Sequence, residues 1–317
     1  MSHGSRNSRF TRKSGKKRPN SGDSPTSESA PRKRAYGMRS HGATSQPKSP
    51  KNRTKHGKRP GSGREGGSGW LYGAHACKAA LANSRRTIHE ILLTEQSQSR
   101  YPLPNGAIPP KIVLPNVLDK VVGRDSTHQG IAVKAAPLQW PDLETIADQE
   151  GDGLILVLDQ ITDPHNVGAM LRLCSAFGVR ALVMQTRKAP PLSGALAKVA
   201  VGCLETIPVC LETNIANTLQ NLQRLGWMVT GLAGQTDMEL KDAVIGGGKH
   251  VIVMGAEGPG LRDRVRKTCD QLAKIPMMSD PVAGQAESLN VATAAAIALY
   301  EVRSCLLYTS PSPRDRG

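Results

Sequence analysis

Three stretches of this sequence place polar or charged side chains where apolar runs end. The first, Asp163-Pro164-His165-Asn166-Val167-Gly168-Ala169-Met170-Leu171-Arg172, lies where an aliphatic run gives way to a helical pattern. Clefts of α/β sheets are built at such strand-to-helix junctions. Asn166 falls at the N-cap, Gly168 allows a neighbour to approach closely, and Arg172 lies inside the helix between Leu171 and Leu173. A plain cap and a surface charge would account for the same residues. The second stretch, 251–261, runs from a strand through a glycine-dense turn carrying Glu257 into a basic helix. A ligand could approach that backbone at Gly255, Gly258 and Gly260, although the spacing G-x-x-G-x-G is not the dinucleotide fingerprint, and a carboxylate there can simply accept backbone N–H bonds. The third is Ile275-Pro276-Met277, separated by the ten residues 278–287 from Ser288-Leu289-Asn290-Val291 at the head of the last helix. Capping explains Ser288 but leaves Asn290 without a role.

The elements that must position these stretches can be read from periodicity. From residue 153 onward, aliphatic runs at 154–158, 181–184, 207–211, 228–232 and 250–254 alternate with helical patterns at 167–177, 195–201 and 215–225. Strands so uniformly aliphatic are buried on both faces, which predicts a largely parallel sheet covered by helices. A final alanine-dense helix is predicted over 288–303. Upstream, Trp70-Leu71-Tyr72-Gly73 leads into a helix over 75–82, followed by strands at 88–94, 111–114 and 131–135, the last behind His128-Gln129-Gly130. These make a small α/β domain over 69–137, and 138–153, with its prolines and acids around a short helical pattern, is a linker to a second domain over 154–304. Residues 305–317 match neither helix nor strand and resemble vector read-through, so they are set aside.

Charge divides the chain differently. The 317 residues carry a net charge of +16, but residues 1–68 hold 18 Lys and Arg against three acids, leaving the rest almost neutral. That segment is rich in Ser, Gly and Pro with only Phe10 and Tyr36 as aromatics, a composition that predicts a disordered basic tail. A basic arm condenses on polyphosphate by counterion release and suits an RNA partner, with a solubilising tail as the lesser alternative. Clustered lysines and the lack of an apolar stripe disfavour a mitochondrial transit peptide. The six cysteines are widely spaced, with no C-x-x-C pair and no histidine cluster at metal spacing, so they read as reduced thiols and no metal is expected. No run approaches a membrane span, and a soluble cytoplasmic protein is the expectation.

Taken together and in this order, the three stretches resemble the motifs of the SpoU/TrmH branch of the SPOUT RNA methyltransferases: N-x-G-x-x-x-R at Asn166, Gly168 and Arg172; G-x-E-G-x-G at Gly255, Glu257, Gly258 and Gly260; and I-P-M followed by S-L-N-V. The resemblance covers about 70–304. Gly73-x-His75, Arg86 and His128-Gln129-Gly130-Ile131 are similar to an L30e-like substrate-binding domain, which points to the subgroup acting on a guanosine of large-subunit (23S) ribosomal RNA. The loop 278–287 departs from that subgroup in being several residues longer.

The resemblance implies a trefoil-knotted α/β catalytic domain, a homodimer, and S-adenosylmethionine as cofactor. Gly255, Ile275 and Leu289 would line the cofactor pocket, with Met277, Gly260, Ser288 and Asn290 nearby. It implies a catalytic set of Arg172, Asn166, Glu257, Asn290 and Ser288. A guanidinium holds its proton far above neutral pH, which makes Arg172 a costly base. The expected role is therefore to hold the ribose or its phosphate and to stabilise developing oxyanion charge, with Asn166 and Asn290 orienting it. Glu257 would fix the glycine turn or pair with a cation. A ribose of transfer RNA is the alternative acceptor. A nucleotide-binding oxidoreductase or kinase lacks its phosphate-loop motifs here. A non-catalytic RNA-binding protein would need only the basic arm and the first domain.

Overall fold

The structure, a computed structural model, describes residues 69–277 and 288–309. The predicted tail 1–68, the long loop 278–287 and residues 310–317 lie outside the described residues.

The first sheet is assembled around one short strand. Its elements are β1 (Trp70–Tyr72), α1 (Ala74–Ala82), β2 (Ile88–Leu93), β3 (Lys111–Ile112), α2 (Pro115–Val122) and β4 (Ile131–Ala135). The strand order is β1-β4-β2-β3, with β4 antiparallel to both of its neighbours and β3 parallel to β2. Ile131, Ala132 and Val133 are wholly buried, which is why β4 is central. Two expectations change here. Trp70–Tyr72 is a strand rather than a lead-in, because it pairs with Ala132–Lys134 across the sheet. The strand expected at 111–114 stops at Ile112, since Leu114 caps α2 and Pro115, which has no N–H to donate, opens it.

A short helix, α3 (Leu143–Ala147), follows within the connector, capped by the Asp142 carboxylate accepting from Thr145 N at 2.8 Å. The second sheet then builds from β5 (Gly153–Asp159), α4 (Pro164–Ala176), β6 (Ala181–Gln185), α5 (Gly194–Ala200), β7 (Val209–Glu212), α6 (Ile215–Arg224), β8 (Met228–Leu232), α7 (Leu240–Ala243), β9 (Lys249–Gly255), α8 (Asp263–Thr268), β10 (Gln271–Ala273) and α9 (Val291–Thr309). Its order is β10-β8-β9-β5-β6-β7, and every pairing is parallel. All seven residues of β5 are buried. Leu154, Leu156 and Leu158 face the core shared with α4, α5 and α9, while Ile155 and Val157 face the one shared with α3 and α6. Both sides of the sheet are therefore covered, as an unbroken aliphatic run requires.

The chain moves outward from β5 to β6 and β7, then crosses back to place β8, β9 and β10 on the other side. The order thus reverses between β5 and β9, and ligands of such sheets bind beyond the carboxyl ends of the strands at that point. The loops that leave β5 and β9 are the first two candidate stretches. The last helix also differs from expectation: it begins at Val291 and runs on to Thr309, past the point where its pattern was expected to fail. Val302 and Leu306 are almost completely buried, and burying a leucine is worth about 2 kcal/mol, enough to carry the helix one more turn.

Candidate functional site

The heads of α4 and α9 set the geometry. Asp163, not Asn166, caps α4: its carboxylate accepts from His165 N at 3.3 Å and Asn166 N at 3.0 Å, and Pro164 fills the first turn. Asn166 is therefore the third residue of the helix, still in its first turn, with its side chain free to reach outward. Capping of α9 falls to Asn290 rather than Ser288, since Asn290 Oδ1 accepts from Ala292 N at 2.9 Å and Thr293 N at 3.4 Å. Its amide nitrogen is left over for other partners. Those partners are Asn166 Oδ1 at 3.2 Å and Glu257 Oε1 at 3.1 Å. Glu257 Oε1 also accepts from Asn166 Nδ2 and from Val291 N, each at 3.3 Å. One carboxylate oxygen thus ties together the three motifs. Among the described residues Glu257 links helix heads and has no cationic partner. Close packing behind this cluster depends on Gly168, where an added Cβ would lie 2.8 Å from Leu196 O on α5.

The glycine turn after β9 is folded back on itself. Gly260 N donates to Ala256 O at 2.9 Å, and a Cβ on Gly255 would fall 2.2 Å from the Gly260 carbonyl carbon. A second anchor was not singled out from the sequence. Asp159, fully buried at the end of β5, accepts from Arg262 N at 3.0 Å and Nε at 2.8 Å and pairs with Nη2 at 2.5 Å. Its signal was a lone acid closing an otherwise aliphatic strand. Bonds from a guanidinium to a carboxylate are the strong ones, so the exit of the turn is pinned to β5.

Between this turn, the residues after β10 and the head of α9 lies a cavity of about 250 Å³. Gly255, Gly260, Ile275, Met277, Ser288 and Leu289, six of the seven residues expected around a cofactor, line it, together with apolar Leu232, Met254 and Val291. Asn290 does not line it, because its side chain turns toward Asn166 and Glu257. A smaller cavity of about 200 Å³ lies beyond, lined by Gln160, Thr162, Asp163 and Asn166, and the two share Ala256, Glu257 and Val291 as a wall. Arg172 stands apart. It is exposed on α4, lines neither cavity, and has no hydrogen bond or ion pair among the described residues, so the asparagines contact each other and Glu257 rather than Arg172.

No cysteine serves this site. Cys77, Cys174 and Cys210 are buried and unpaired. Burial pushes the Cys210 thiol up to about 11 and that of Cys269 to about 12, and protonated thiols are inert. Among the described residues no group of three His, Cys, Asp or Glu side chains is placed to hold a metal ion.

Comparison with known proteins matches both halves of the described chain. A family model described as the SpoU rRNA methylase family matches residues 153–300, and one described as RNA 2'-O ribose methyltransferase substrate binding matches 70–141. A Vibrio vulnificus protein named 23S rRNA (guanosine-2'-O-)-methyltransferase RlmB is 37% identical, the alignment covering 73% of this chain and 95% of the relative. Its Pseudomonas aeruginosa namesake is 38% identical over 73% of this chain and 94% of its own. Among solved structures, the SpoU methyltransferase AviRb from Streptomyces viridochromogenes, in complex with AdoMet, has a TM-score of 0.63 at 21% identity, covering 77% of this chain and 91% of that one. A protein from Porphyromonas gingivalis described as a putative RNA methyltransferase of the TrmH family has a TM-score of 0.59 at 25% identity, covering 74% and 89%.

Proposed function

The chain belongs to the SpoU rRNA methylase family, and from that premise we propose that it methylates the ribose 2'-hydroxyl of a guanosine in large-subunit ribosomal RNA, with S-adenosylmethionine as donor. The observation that carries this reading is the meeting of Asn166, Glu257 and Asn290 through one carboxylate oxygen at the wall of the cavity lined by Gly255, Ile275 and Leu289. The cavity suits a cofactor with an apolar ring and a polar tail. Leu232, Met254, Ile275 and Leu289 offer apolar surface, and the absence of a Cβ at Gly255 leaves backbone accessible. When bound, S-adenosylmethionine supplies an electrophilic methyl group.

The rest of the work falls to the chain itself. In-line transfer to a ribose oxygen requires two reactants to be held in register and one proton to be removed. The Asn166–Glu257–Asn290 cluster fixes the heads of α4 and α9 against the glycine turn, so that the cavity wall is in place before RNA arrives. Arg172, exposed and without a partner among the described residues, is free to take an RNA phosphate or the developing oxyanion, a task its permanent charge suits better than proton abstraction. Arg172→Ala is expected to abolish methylation while leaving cofactor affinity, measured by calorimetry, nearly intact; retained turnover rejects the assignment. Mapping ribose methylation in RNA from a deletion strain tests the substrate. The reading requires a lost mark on a large-subunit guanosine, and a lost mark on transfer RNA overturns it.

The same reading includes three further parts. Residues 69–137 capture RNA and 154–304 carry catalysis, joined by 138–153. The catalytic part is knotted, supported by a chain path that leaves β10 at the sheet edge and returns as α9 onto β9 and α4. Two copies associate, supported by Ile297, Tyr300 and Leu307 exposed on α9, and they work in the cytoplasm, in keeping with a ribosomal RNA substrate; no described helix is long and apolar enough to cross a membrane. Light scattering at the mass of one chain would count against the dimer.

A further inference from the structure

The two sheets are joined by more than their connector. Residues of α1 and β1 (Leu71, Ala76, Ala80) lie in one continuous apolar cluster with Leu196, Ala200 and Leu204 of the second sheet's helical layer. Within this seam lies an ion pair that the functional site does not use. Arg86, on the turn between α1 and β2, meets Glu205, which ends the 3-10 turn Cys203–Glu205 after α5. Their side chains are 4% and 6% exposed, and Arg86 Nη2 lies 2.6 Å from Glu205 Oε1. Arg86 Nε shares both carboxylate oxygens at 3.2 and 3.1 Å, Arg86 Nη1 donates to Ala136 O at 2.7 Å, and Asn83 Nδ2 donates to Glu205 Oε2 at 2.8 Å. At the other end of the connector, Arg180 donates to the carbonyls of Gln149, Glu150 and Asp152, each at 2.8 Å. Both ends of the connector are therefore gripped by arginine side chains.

A buried ion pair contributes little net stability, because desolvation offsets most of the attraction. Its value is directional. A guanidinium fork on a carboxylate accepts a narrow range of angles, whereas the apolar contacts of the seam around it are non-directional. We infer that Arg86, Glu205 and Asn83 form a latch that sets the angle between the RNA-capturing half and the methyl-donor cavity, acting as positioning residues for the transfer. The inference rests on the proposed methyltransferase activity for its kinetic consequence, but not for its structural one. RNA bound on the first sheet is presented to the cavity at a fixed offset, and misplacement of about 1 Å is enough to cost roughly a hundredfold in rate.

The test compares the parent with Arg86→Lys and Glu205→Gln in the full chain. Three quantities are read: affinity for a large-subunit rRNA transcript, kcat and KM for methyl transfer to it, and overall dimensions by small-angle scattering. The latch predicts that both variants keep RNA and S-adenosylmethionine affinity within about twofold, expand in scattering, and lose kcat by about tenfold or more. Variants that are folded, equally compact and equally fast overturn it. So do variants that lose RNA affinity while keeping kcat, since that pattern means an RNA contact rather than positioning. A parent that methylates no RNA defeats the functional reading, whereas expansion of the variants in that same experiment still supports the latch and an unchanged shape still sinks it. Because stranding a buried charge can prevent folding, Asn83→Ala, which removes one neutral donor from Glu205, is measured alongside. A smaller drop in kcat at unchanged RNA affinity is expected from it, and a parental kcat in this variant counts against the latch.

Discussion

At the scale of single residues, Asn166 and Asn290 were legible as polar intrusions in apolar contexts, but their tasks were not. Sequence places Asn166 at a cap, yet Asp163 occurs three residues earlier and its shorter-range geometry wins, leaving Asn166 to reach Glu257. At α9 the later residue wins instead, and Asn290 rather than Ser288 takes the cap. Which of two nearby capping residues acts depends on where the helix starts, and tertiary contacts decide that. Replacing Glu257 with alanine removes the acceptor of Val291 N and Asn166 Nδ2 and leaves Asn290 Nδ2 only Asn166 Oδ1. Water can reach this exposed position, so a cost near 1 kcal/mol in stability is expected, with about tenfold weaker S-adenosylmethionine binding as the wall relaxes. Calorimetry showing parental affinity would refute the cluster's role. A second residue-level expectation concerns His250 on β9, 5% exposed, whose buried Nδ1 has no hydrogen-bond partner among the described residues. Burial lowers its pKa below the usual 6.5, while Asp152 and the backbone at Gly246 and Gly247 pull the other way. The unfolded chain therefore takes up the proton more readily, so this contribution is intact above that value and declines as pH falls below it. Denaturation midpoints should drop between about pH 8 and pH 5.5 more steeply for the parent than for His250→Leu, and parallel curves would remove His250 from the account.

At the scale of elements, the runs that became β5, β6, β8 and β9 were legible because strands buried on both faces admit little besides aliphatic residues. The short elements were not. Three residues of β1 or β10 are too few to show a period, and both exist because a neighbouring strand supplies hydrogen bonds to them. The glycine turn shows how an element's length and a ligand's access are linked. Gly258 has φ of +83° and no atom within 4 Å of an added Cβ, so an alanine there meets only backbone strain of about 1–2 kcal/mol. Gly255 is the opposite case: its φ is ordinary, but a Cβ would lie 2.2 Å from Gly260 C and 2.3 Å from Leu261 N, both backbone atoms that cannot rotate away. Gly255→Ala is therefore expected to push the turn off β9, costing about 1–3 kcal/mol in stability and cofactor binding with it. Gly226→Ala, at a φ of +82° in the turn before β8, with no atom within 4 Å of an added Cβ and away from the cavity wall, should lose stability while retaining binding. Thermal unfolding with and without S-adenosylmethionine separates the two, and equal ligand-induced shifts in both variants would show that the close approach at Gly255 does not shape the cavity.

At the scale of the whole molecule, the fold class followed from alternation, but the way the halves join did not. Arg86 and Glu205 are 119 residues apart, and no local pattern marks either as buried; only the assembled seam does. Charge is the reverse case, plain in the sequence and independent of the fold. Residues 1–68 carry 18 basic and three acidic side chains, whereas 69–317 carry 24 basic and 23 acidic ones. RNA affinity of electrostatic origin is then expected to come mostly from the first segment, and it has a measurable signature, because each neutralised phosphate releases counterions and steepens the dependence of affinity on salt. Six engaged charges would steepen the logarithmic slope by about 4 for single-stranded RNA. A chain beginning at residue 69 is expected to bind rRNA far more weakly than the parent at low salt, with a flatter slope, and the two lines should converge as salt rises and screening removes the arm's advantage. Filter binding across a salt series reads both quantities at once. Parallel lines displaced by a constant factor would mean that the segment contributes something other than charge, and coincident lines would mean that it takes no part in RNA capture.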